Sequence, residues 1–196
     1  MVEINPTRIP GRWSNGYTLD LHTTSSGLAG RDGYGHPQFA SKRSELGELL
    51  YRLKFRGDKS VVSEIAEVVG TFAESYLTKL DLIVPVPPSS QRKEQPVILL
   101  AHAIGDRIGI PVFEDCVWKV RETSQLKNVF DFDERSRLLD GAFEIDRSVA
   151  NGKTVLLFDD LYRSGATLNA VNSLLYDRGG AKDVLALALT RTRNLR

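Results

Sequence analysis

The sequence contains few of the residues that build disulfides, metal clusters or membrane anchors. Its 196 residues include one cysteine, Cys116, which excludes an internal disulfide and a cysteine-cluster zinc site. The three histidines, His22, His36 and His102, share no metal-ligand spacing, and we expect each to be structural or exposed. No apolar run approaches membrane-spanning length, and no early basic stretch leads into the apolar core of a secretory leader. We therefore expect a cytoplasmic protein that does not bind a membrane.

The sequence also has no excess of charge of either sign. Lys and Arg total 26 and Asp and Glu total 25, so the formal net charge at pH 7 is +1. This balance gives no global electrostatic reason to bind nucleic acid, although it leaves such binding open. An apolar share of 41% is enough for one sizeable core.

The first 80 residues differ in pattern from the rest of the chain. Residues up to about 40 are glycine-rich and predict irregular chain, apart from a short strand over 17–22. A helical pattern of leucines begins at about Lys42, and Asp58 suits the cap position of a second helix. We expect residues 1–80 to form an amino-terminal hood and helical cap.

Strand and helix patterns alternate from residue 81 onward. Residues 81–88 predict a buried strand that ends at its prolines, and a helix over 97–108 follows with Pro96 at its start. The other predicted strands cover residues 110–120, 141–145, 154–158 and 184–189. A helix follows the strand at 154–158. Such alternation predicts an α/β fold with a doubly wound, mainly parallel sheet, which we assign to residues 81–196.

Residues 154–168 form the clearest functional motif. A buried strand ends in Asp159 and Asp160, and an amphipathic helix follows after a loop with Ser164, Gly165 and Thr167. Carboxylates at a strand end suit ribose hydroxyls or a metal-bound sugar, and backbone N–H groups at a helix start suit a phosphate. Together they predict a phosphorylated ribose as the ligand. The alternative is an ordinary strand-to-helix turn whose acidic residues only cap the helix.

This motif resembles the phosphoribosyl pyrophosphate (PRPP) motif of type I phosphoribosyltransferases. The resemblance implies that Asp159 and Asp160 hold the ribose hydroxyls during catalysis. It assigns the 5′-phosphate to the loop Arg163, Ser164, Gly165, Ala166 and Thr167. The implied reaction moves the phosphoribosyl group of PRPP to a nitrogen acceptor and releases pyrophosphate, with Mg²⁺ bridging ligand oxygens.

The end of the first core strand resembles the ComF-like branch of this family. In that branch a valine–proline strand leads into the pyrophosphate-binding loop, as in Val84-Pro-Val-Pro-Pro-Ser-Ser-Gln-Arg92 here. The resemblance assigns pyrophosphate contacts to Pro87, Pro88, Ser89, Ser90 and Arg92. The alternative is a proline-terminated strand followed by solvated polar residues.

Two further segments resemble the ComF-like pattern. Residues 119–143 match the family's flap, which covers the site and brings cations to the leaving pyrophosphate, and this implies a catalytic contact from Arg121. The alternative is an exposed loop over 121–140, which is polar and has no clear period. The second segment is a basic cluster of four residues, Arg52, Lys54, Arg56 and Lys59. These residues either contact phosphates or lie at a solvated helix end.

The chain departs from the family pattern at three places. The four-cysteine zinc element common at the amino terminus of the ComF-like branch is missing. Arg92-Lys-Glu-Gln95 stands where arginine–glycine–aromatic–Asn–Gln is usual, which weakens the expected pyrophosphate contact. Arg163 replaces the aspartate of 6-oxopurine salvage enzymes. Because arginine does not deprotonate in proteins, we do not expect salvage of hypoxanthine or guanine.

Two other functions fit parts of the sequence. A regulator that binds PRPP or a nucleotide, or a partner in DNA uptake, would keep the motif without turnover. A dehydrogenase would need a glycine-rich turn after the first core strand, and residues 85–92 contain no glycine. The sequence leaves the acceptor and homo-oligomerisation open.

Overall fold

Helices and strands alternate along most of the chain. The computed structural model describes residues 2–31, 33–77, 79–88, 94–121 and 132–193. The strands are β1 (Thr7–Arg8), β2 (Asn15–Leu21), β3 (Thr23–Arg31), β4 (Pro37–Arg43), β5 (Leu82–Pro85), β6 (Val117–Lys119), β7 (Phe143–Ile145), β8 (Thr154–Tyr162) and β9 (Asp183–Arg191). The helices are α1 (Glu45–Arg56), α2 (Val62–Tyr76), α3 (Pro96–Ile108), α4 (Phe132–Leu139), α5 (Arg147–Ala150) and α6 (Ala166–Asp177). No helix in these ranges is long and apolar enough to cross a bilayer.

A mainly parallel sheet forms the centre of the molecule. Its strand order is β1-β2-β9-β8-β5, and the short edge strand β1 runs antiparallel to β2 while the other pairs are parallel. Residues 184–190 of β9 are all buried. Such continuous burial is typical of a strand that is covered on both faces. The predicted α/β fold with a mainly parallel sheet is confirmed.

Both faces of the sheet are covered, which makes the fold doubly wound. On one face, α1, α2 and α3 pack around the side chains of Leu156 and Leu187. On the other face, α6 and the two-stranded sheet β6–β7 pack around Leu157 and Val184. Neighbouring residues of β8 therefore reach opposite cores, because side chains alternate along a strand.

Three predicted helices begin with the expected local chemistry. Ser44 Oγ accepts a hydrogen bond from Gly47 N at 3.0 Å and starts α1 close to the predicted position. Asp58 Oδ1 accepts from Ser60 N at 3.1 Å and caps the 3₁₀ turn Lys59–Val61 that leads into α2. Pro96 is the first residue of α3, where a missing backbone N–H costs no hydrogen bond.

The strand predicted over residues 110–120 is wrong for most of its length. The chain touches β5 at a single bridge, between Val112 and Ile83. A turn follows, in which Cys116 N donates to Phe113 O at 3.3 Å. The strand β6 begins after that turn and pairs with β7 in a separate small sheet. The segment predicted as one strand therefore contains a bridge, a turn and a short strand.

The first forty residues are more regular than the sequence predicts. β2 agrees with the strand expected over 17–22, but β3 and β4 form an antiparallel hairpin where irregular chain is expected. Residues 24–31 are exposed along the whole of β3. This strand therefore lacks the alternation of apolar and polar residues by which a half-buried strand is recognised.

A helix occupies part of the segment predicted as a flap. α4 packs against α6 at the end of a stretch where the sequence shows no clear period. Residues 122–131 lie outside the described part of the chain, so the flap interpretation stays a prediction. The division at residue 80 also stays a prediction. What the structure shows is that β2 and β9, from the two predicted parts, are neighbours in one sheet.

Candidate functional site

Asp159 and Asp160 lie near the carboxyl end of β8, inside the strand rather than after it. The ladder between β5 and β8 ends at the pair Pro85 and Phe158. The ladder between β8 and β9 continues to Tyr162. The predicted strand end at Phe158 is therefore wrong by four residues, because β8 pairs with β9 for four residues beyond its last pair with β5. Past Phe158, β8 no longer pairs with β5.

The two carboxylates face opposite sides of β8. Asp159 lines a cleft together with the loop before α6. Asp160 binds Lys54 of α1, a helix on the other face of the sheet. This arrangement follows from the alternation of side chains along a strand. A single sugar that contacts both carboxylates must therefore lie over the end of the strand.

A shielded ion pair holds Asp160. Lys54 Nζ lies 2.9 Å from Oδ1 and 2.9 Å from Oδ2 of Asp160. The exposed fractions of the two side chains are 17% for Lys54 and 13% for Asp160. Charges attract more strongly in such a site than in water, and removing one partner leaves the other buried without compensation. The pair ties α1 to the motif strand across 106 residues of sequence.

Asp159 is a weaker acid than an ordinary aspartate. Burial, followed by the neighbouring negative charge of Asp160, raises the pKa of Asp159 to about 7. The Asp160 backbone N–H donates to Asp159 Oδ1 at 2.7 Å and opposes this shift, as does the charge of Lys54. Near neutral pH the site therefore holds one lysine-paired carboxylate beside a carboxyl that is partly protonated.

Residues 163–167 form a tight loop at the start of α6. Gly165 has a φ of +78°, a left-handed conformation that favours glycine. A Cβ atom on Gly165 would lie 2.5 Å from Tyr162 Oη. Asn169 Nδ2 donates to Gly165 O at 3.0 Å and supports the loop from within α6. The amino end of a helix of this length favours an anion.

One open cleft contains the predicted phosphate loop and part of the acidic pair. Its cavity volume is about 50 Å³. The cleft is lined by Asp159 and by all five predicted phosphate-binding residues, Arg163, Ser164, Gly165, Ala166 and Thr167. The structure therefore brings these residues together, as the order of the motif leads one to expect.

The predicted pyrophosphate segment is described only at its start. Pro87 is buried and Pro88 is half-buried directly after β5. Pro88 O accepts a hydrogen bond from Lys119 Nζ at 2.9 Å, and burial lowers the pKa of Lys119. Ser89, Ser90 and Arg92 lie outside the described residues, so their pyrophosphate contacts stay predictions.

Arg121 does not line the cleft in this structure. Its Nη2 donates to the carbonyl oxygens of Leu138 at 3.0 Å and of Asp140. These bonds tie the chain before residues 122–131 to the chain at the end of α4. The predicted contact from Arg121 to pyrophosphate stays a prediction.

The basic cluster around the end of α1 separates into different environments. Arg52 pairs with Asp58 and Lys59 pairs with Glu94, both as partly exposed ion pairs. Lys54 turns inward to the acidic pair. The sequence contains a signal for this difference, since Lys54 follows Leu50 by four residues and so lies on the buried face of α1.

His22 is the site residue that the sequence reasoning missed. Its Nδ1 lies 3.2 Å from Thr190 Oγ1, at the carboxyl ends of β2 and β9. Burial, followed by the positive charges of Lys54 and Arg43, lowers the pKa of His22, while Asp160 opposes the shift. The neighbours of His22 come from distant parts of the chain, so no local pattern marks it.

The chain is similar to two competence proteins. No family model matches it. Competence protein ComFC of Bacillus subtilis is 30% identical over 147 residues, which cover 74% of this chain and 59% of that protein. ComFC of Streptococcus pneumoniae is 29% identical over 164 residues, which cover 81% of this chain and 69% of the relative. The chain thus spans less than two thirds of the length of the first relative.

A solved structure shares the fold. It is that of glutamine phosphoribosylpyrophosphate amidotransferase from B. subtilis in complex with ADP and GMP. The TM-score is 0.50 and the sequence identity is 20%, over 80% of this chain and 34% of the other. At this level of identity the similarity shows the fold alone.

Proposed function

We propose that this chain, which is similar to the two ComFC proteins and has the type I phosphoribosyltransferase fold, binds PRPP at the carboxyl end of β8. One observation carries the proposal. The cleft that contains the Gly165 loop also contains Asp159, and Asp160 is the next residue of the same strand. A phosphate and a ribose on one ligand match these two halves of the site.

The loop and the carboxyl pair have separate roles in this proposal. Residues 163–167 bind the 5′-phosphate through backbone N–H groups and the hydroxyls of Ser164 and Thr167. Arg163 adds a positive charge at the rim, where its side chain is exposed. Asp159 and Asp160 accept hydrogen bonds from the ribose hydroxyls. The ligand lies over the end of β8, because only there does it meet both carboxyl groups.

We propose that bound PRPP donates its phosphoribosyl group to a nitrogen acceptor. The acceptor nitrogen forms a bond to the anomeric carbon, and the bond from that carbon to pyrophosphate breaks with its electron pair on the leaving group. Positive charge develops on the sugar, and the acidic pair stabilises it. Arg92 and Arg121 are the proposed contacts to the leaving pyrophosphate.

Mg²⁺ fits the chemistry of the same site. Magnesium at phosphate sites is commonly held by one or two carboxylates together with phosphate oxygens of the substrate. Because Asp159 and Asp160 face opposite sides of β8, the ion would be held here by pyrophosphate and ribose oxygens of PRPP, near the two carboxyl groups. When bound, the ion neutralises charge on the leaving pyrophosphate.

A second function is favoured by the names of the relatives. Both are competence proteins, and nothing in those names denotes an enzyme. The departure at Arg92-Lys-Glu-Gln95 from the usual signature points the same way, because it weakens the expected hold on pyrophosphate. In this alternative the chain binds PRPP or a nucleotide as a regulator or as a partner in DNA uptake, without turnover.

Titration calorimetry with PRPP and Mg²⁺ tests the binding step. We expect the wild type to bind and the double variant Asp159→Asn/Asp160→Asn to lose binding. Circular dichroism of the variant controls for folding. Failure of the folded wild type to bind PRPP would refute the proposal and leave an interaction protein on this fold.

Pyrophosphate release then separates the two functions. Wild type that binds PRPP is incubated with PRPP, Mg²⁺ and a panel of nitrogen acceptors. Release that depends on one acceptor and is lost in the double variant would support transfer. Binding with no release across the panel would favour the regulator.

A further inference from the structure

The ammonium of Lys54 forms an ion pair with Asp160, one of the two carboxylates that would bind the proposed ligand. Both oxygens of Asp160 lie 2.9 Å from Lys54 Nζ. A ribose hydroxyl that donates to Asp160 must therefore share these oxygens with the ammonium or displace it. Since both side chains are largely buried, the ammonium can leave only if another anion takes over its charge.

A second cleft lies beside Lys54, between the end of α1 and the start of α3. It is open to solvent, and its cavity volume is about 360 Å³. The lining residues are Leu53, Lys54, Gly57, Lys59, Glu94, Pro96 and Leu99. Glu94 directly follows residues 89–93 in the sequence, where the pyrophosphate contacts are predicted. Lys54 thus belongs both to the ion pair at β8 and to a cleft lined by Glu94, the first described residue after that segment.

We propose that Lys54 is a counter-ion that changes partner. In the ligand-free protein its ammonium neutralises Asp160, and in the PRPP complex it moves to the pyrophosphate oxygens of the ligand. This inference rests on the proposed binding of PRPP. It goes further by adding Lys54 as a ligand-binding residue from outside the motif and by giving it a different partner in each state.

The exchange balances charge in both states. Without ligand, the ammonium compensates the carboxylate of Asp160 in a place with little access to water. With ligand, the ribose hydroxyls satisfy the carboxylate oxygens and the pyrophosphate supplies negative charge for the ammonium. A ligand without pyrophosphate provides the hydroxyls but no anion for Lys54. The structure therefore predicts that Lys54 distinguishes PRPP from ribose 5-phosphate.

The test compares the dissociation constants of these two ligands by calorimetry. Lys54→Gln should weaken PRPP binding by about tenfold or more, which is the loss of one charge-assisted contact. The same variant should not weaken ribose 5-phosphate binding, since no pyrophosphate contact is lost and the variant no longer has to break the ion pair. Lys54→Arg, which keeps the charge, should retain most of the preference for PRPP.

Arg56→Gln is the matched control. It removes the same charge from the same last turn of α1, but the Arg56 guanidinium lies over the Tyr51 ring, 5.6 Å from its centroid. We expect little change in either dissociation constant. A loss of PRPP binding in this control as large as that in Lys54→Gln would mean that general positive charge acts, and the inference would fail.

The remaining outcomes separate the inference from the proposed function. Equal weakening of both ligands by Lys54→Gln would show that Lys54 only supports the structure, and unchanged PRPP binding would show no contact, so either result overturns the inference alone. If Lys54→Gln does not fold, Lys54→Met, which keeps the apolar stem, replaces it. Wild type that binds neither ligand would remove the proposed function and this inference with it.

Discussion

Two adjacent carboxyl groups of β8 differ because their side chains meet different neighbours. Asp160 faces the ammonium of Lys54. Asp159 faces the loop side, where burial and then the negative charge of Asp160 raise its pKa to about 7. Two neighbouring aspartates can thus have different roles, with one binding a sugar and the other carrying a proton.

Asp159→Asn is expected to stabilise the protein at pH 8 and to have no such effect near pH 4. The pKa of Asp159 rises on folding from its ordinary 3.8 to about 7. Between these values the folded wild type binds more protons than the unfolded chain, so its free energy of unfolding falls as pH rises through this window and stays constant above it. Asn carries no charge and escapes that loss, which amounts to at least about 1 kcal/mol. Urea unfolding at pH 4, 6 and 8 measures the difference.

Asp160→Asn should act in the opposite direction and serves as the control. It removes the carboxylate from the buried ion pair with Lys54 and should cost about 3 kcal/mol at pH 8. A stabilisation by Asp159→Asn that does not vary with pH would contradict the raised pKa.

Gly165→Ala is expected to damage the phosphate loop more than a glycine substitution elsewhere. The left-handed φ alone should cost about 1 kcal/mol. The added Cβ would also lie 2.5 Å from Tyr162 Oη, which forces the loop or the ring to move. We expect a larger total loss of unfolding free energy, about 2–4 kcal/mol, and loss of PRPP binding.

Gly152→Ala separates the two causes. Gly152 has a similar φ of +71°, but nothing lies within 4 Å of the position where its Cβ would be. This variant should show the backbone cost alone and bind PRPP normally. Equal losses of stability in the two variants would show that contact with Tyr162 does not constrain the loop.

At the scale of elements, the β3–β4 hairpin has no buried side chain among those that the structure describes. Its first strand is exposed along residues 24–31, and a two-stranded hairpin in water has little stability of its own. The two ends of the hairpin lie close together, since Ser44 Oγ, at the start of α1, donates to Leu21 O, at the end of β2, at 2.5 Å. The hairpin can therefore be shortened without moving the elements on either side of it.

Replacing residues 25–41 by an Asn-Gly turn should change the free energy of unfolding by less than about 1 kcal/mol. The pair of Thr23 and Arg43 at the base of the hairpin is kept, and Ser44 still caps α1. Chemical denaturation of the shortened and full chains makes the comparison. A loss above about 2 kcal/mol would show that the hairpin packs against the core in solution.

At the scale of the whole molecule, a contact could be predicted from the sequence only when its residues are close together along the chain. The phosphate loop could be predicted because residues 159–167 are continuous in the chain. The ion pair of Lys54 and Asp160 spans 106 residues, and the contact of His22 with Thr190 spans 168. No local pattern shows which distant side chains meet, so the partner of Asp160 and the place of His22 required the structure.

The limits of β8 and of the strand predicted at 110–120 show the same dependence on partners. β8 extends to Tyr162 because β9 continues to pair with it. Residues after Val112 leave β5, and β6 finds its partner in β7. The apolar run at the start of β8 is buried as predicted, whereas most of residues 113–120 are exposed. In both places the neighbouring strand decides where the strand ends.

The last prediction concerns the division at residue 80. Residues 81–196 expressed alone should not fold cooperatively. One face of the sheet would lose α1 and α2, whose side chains of Leu50, Ile65 and Val69 are wholly buried in the full chain. β9 would also lose its neighbour β2 and expose a long, apolar strand edge, which favours aggregation. Each large apolar side chain left in water costs about 1.5–3 kcal/mol, and several are uncovered together.

Circular dichroism and thermal unfolding of the fragment 81–196 test this prediction, with the full chain and an equimolar mixture of the fragments 1–80 and 81–196 as controls. The mixture should regain structure, because the missing helices and strand are supplied. A fragment 81–196 that unfolds in one sharp transition by itself would instead establish an independent domain, as the sequence predicts.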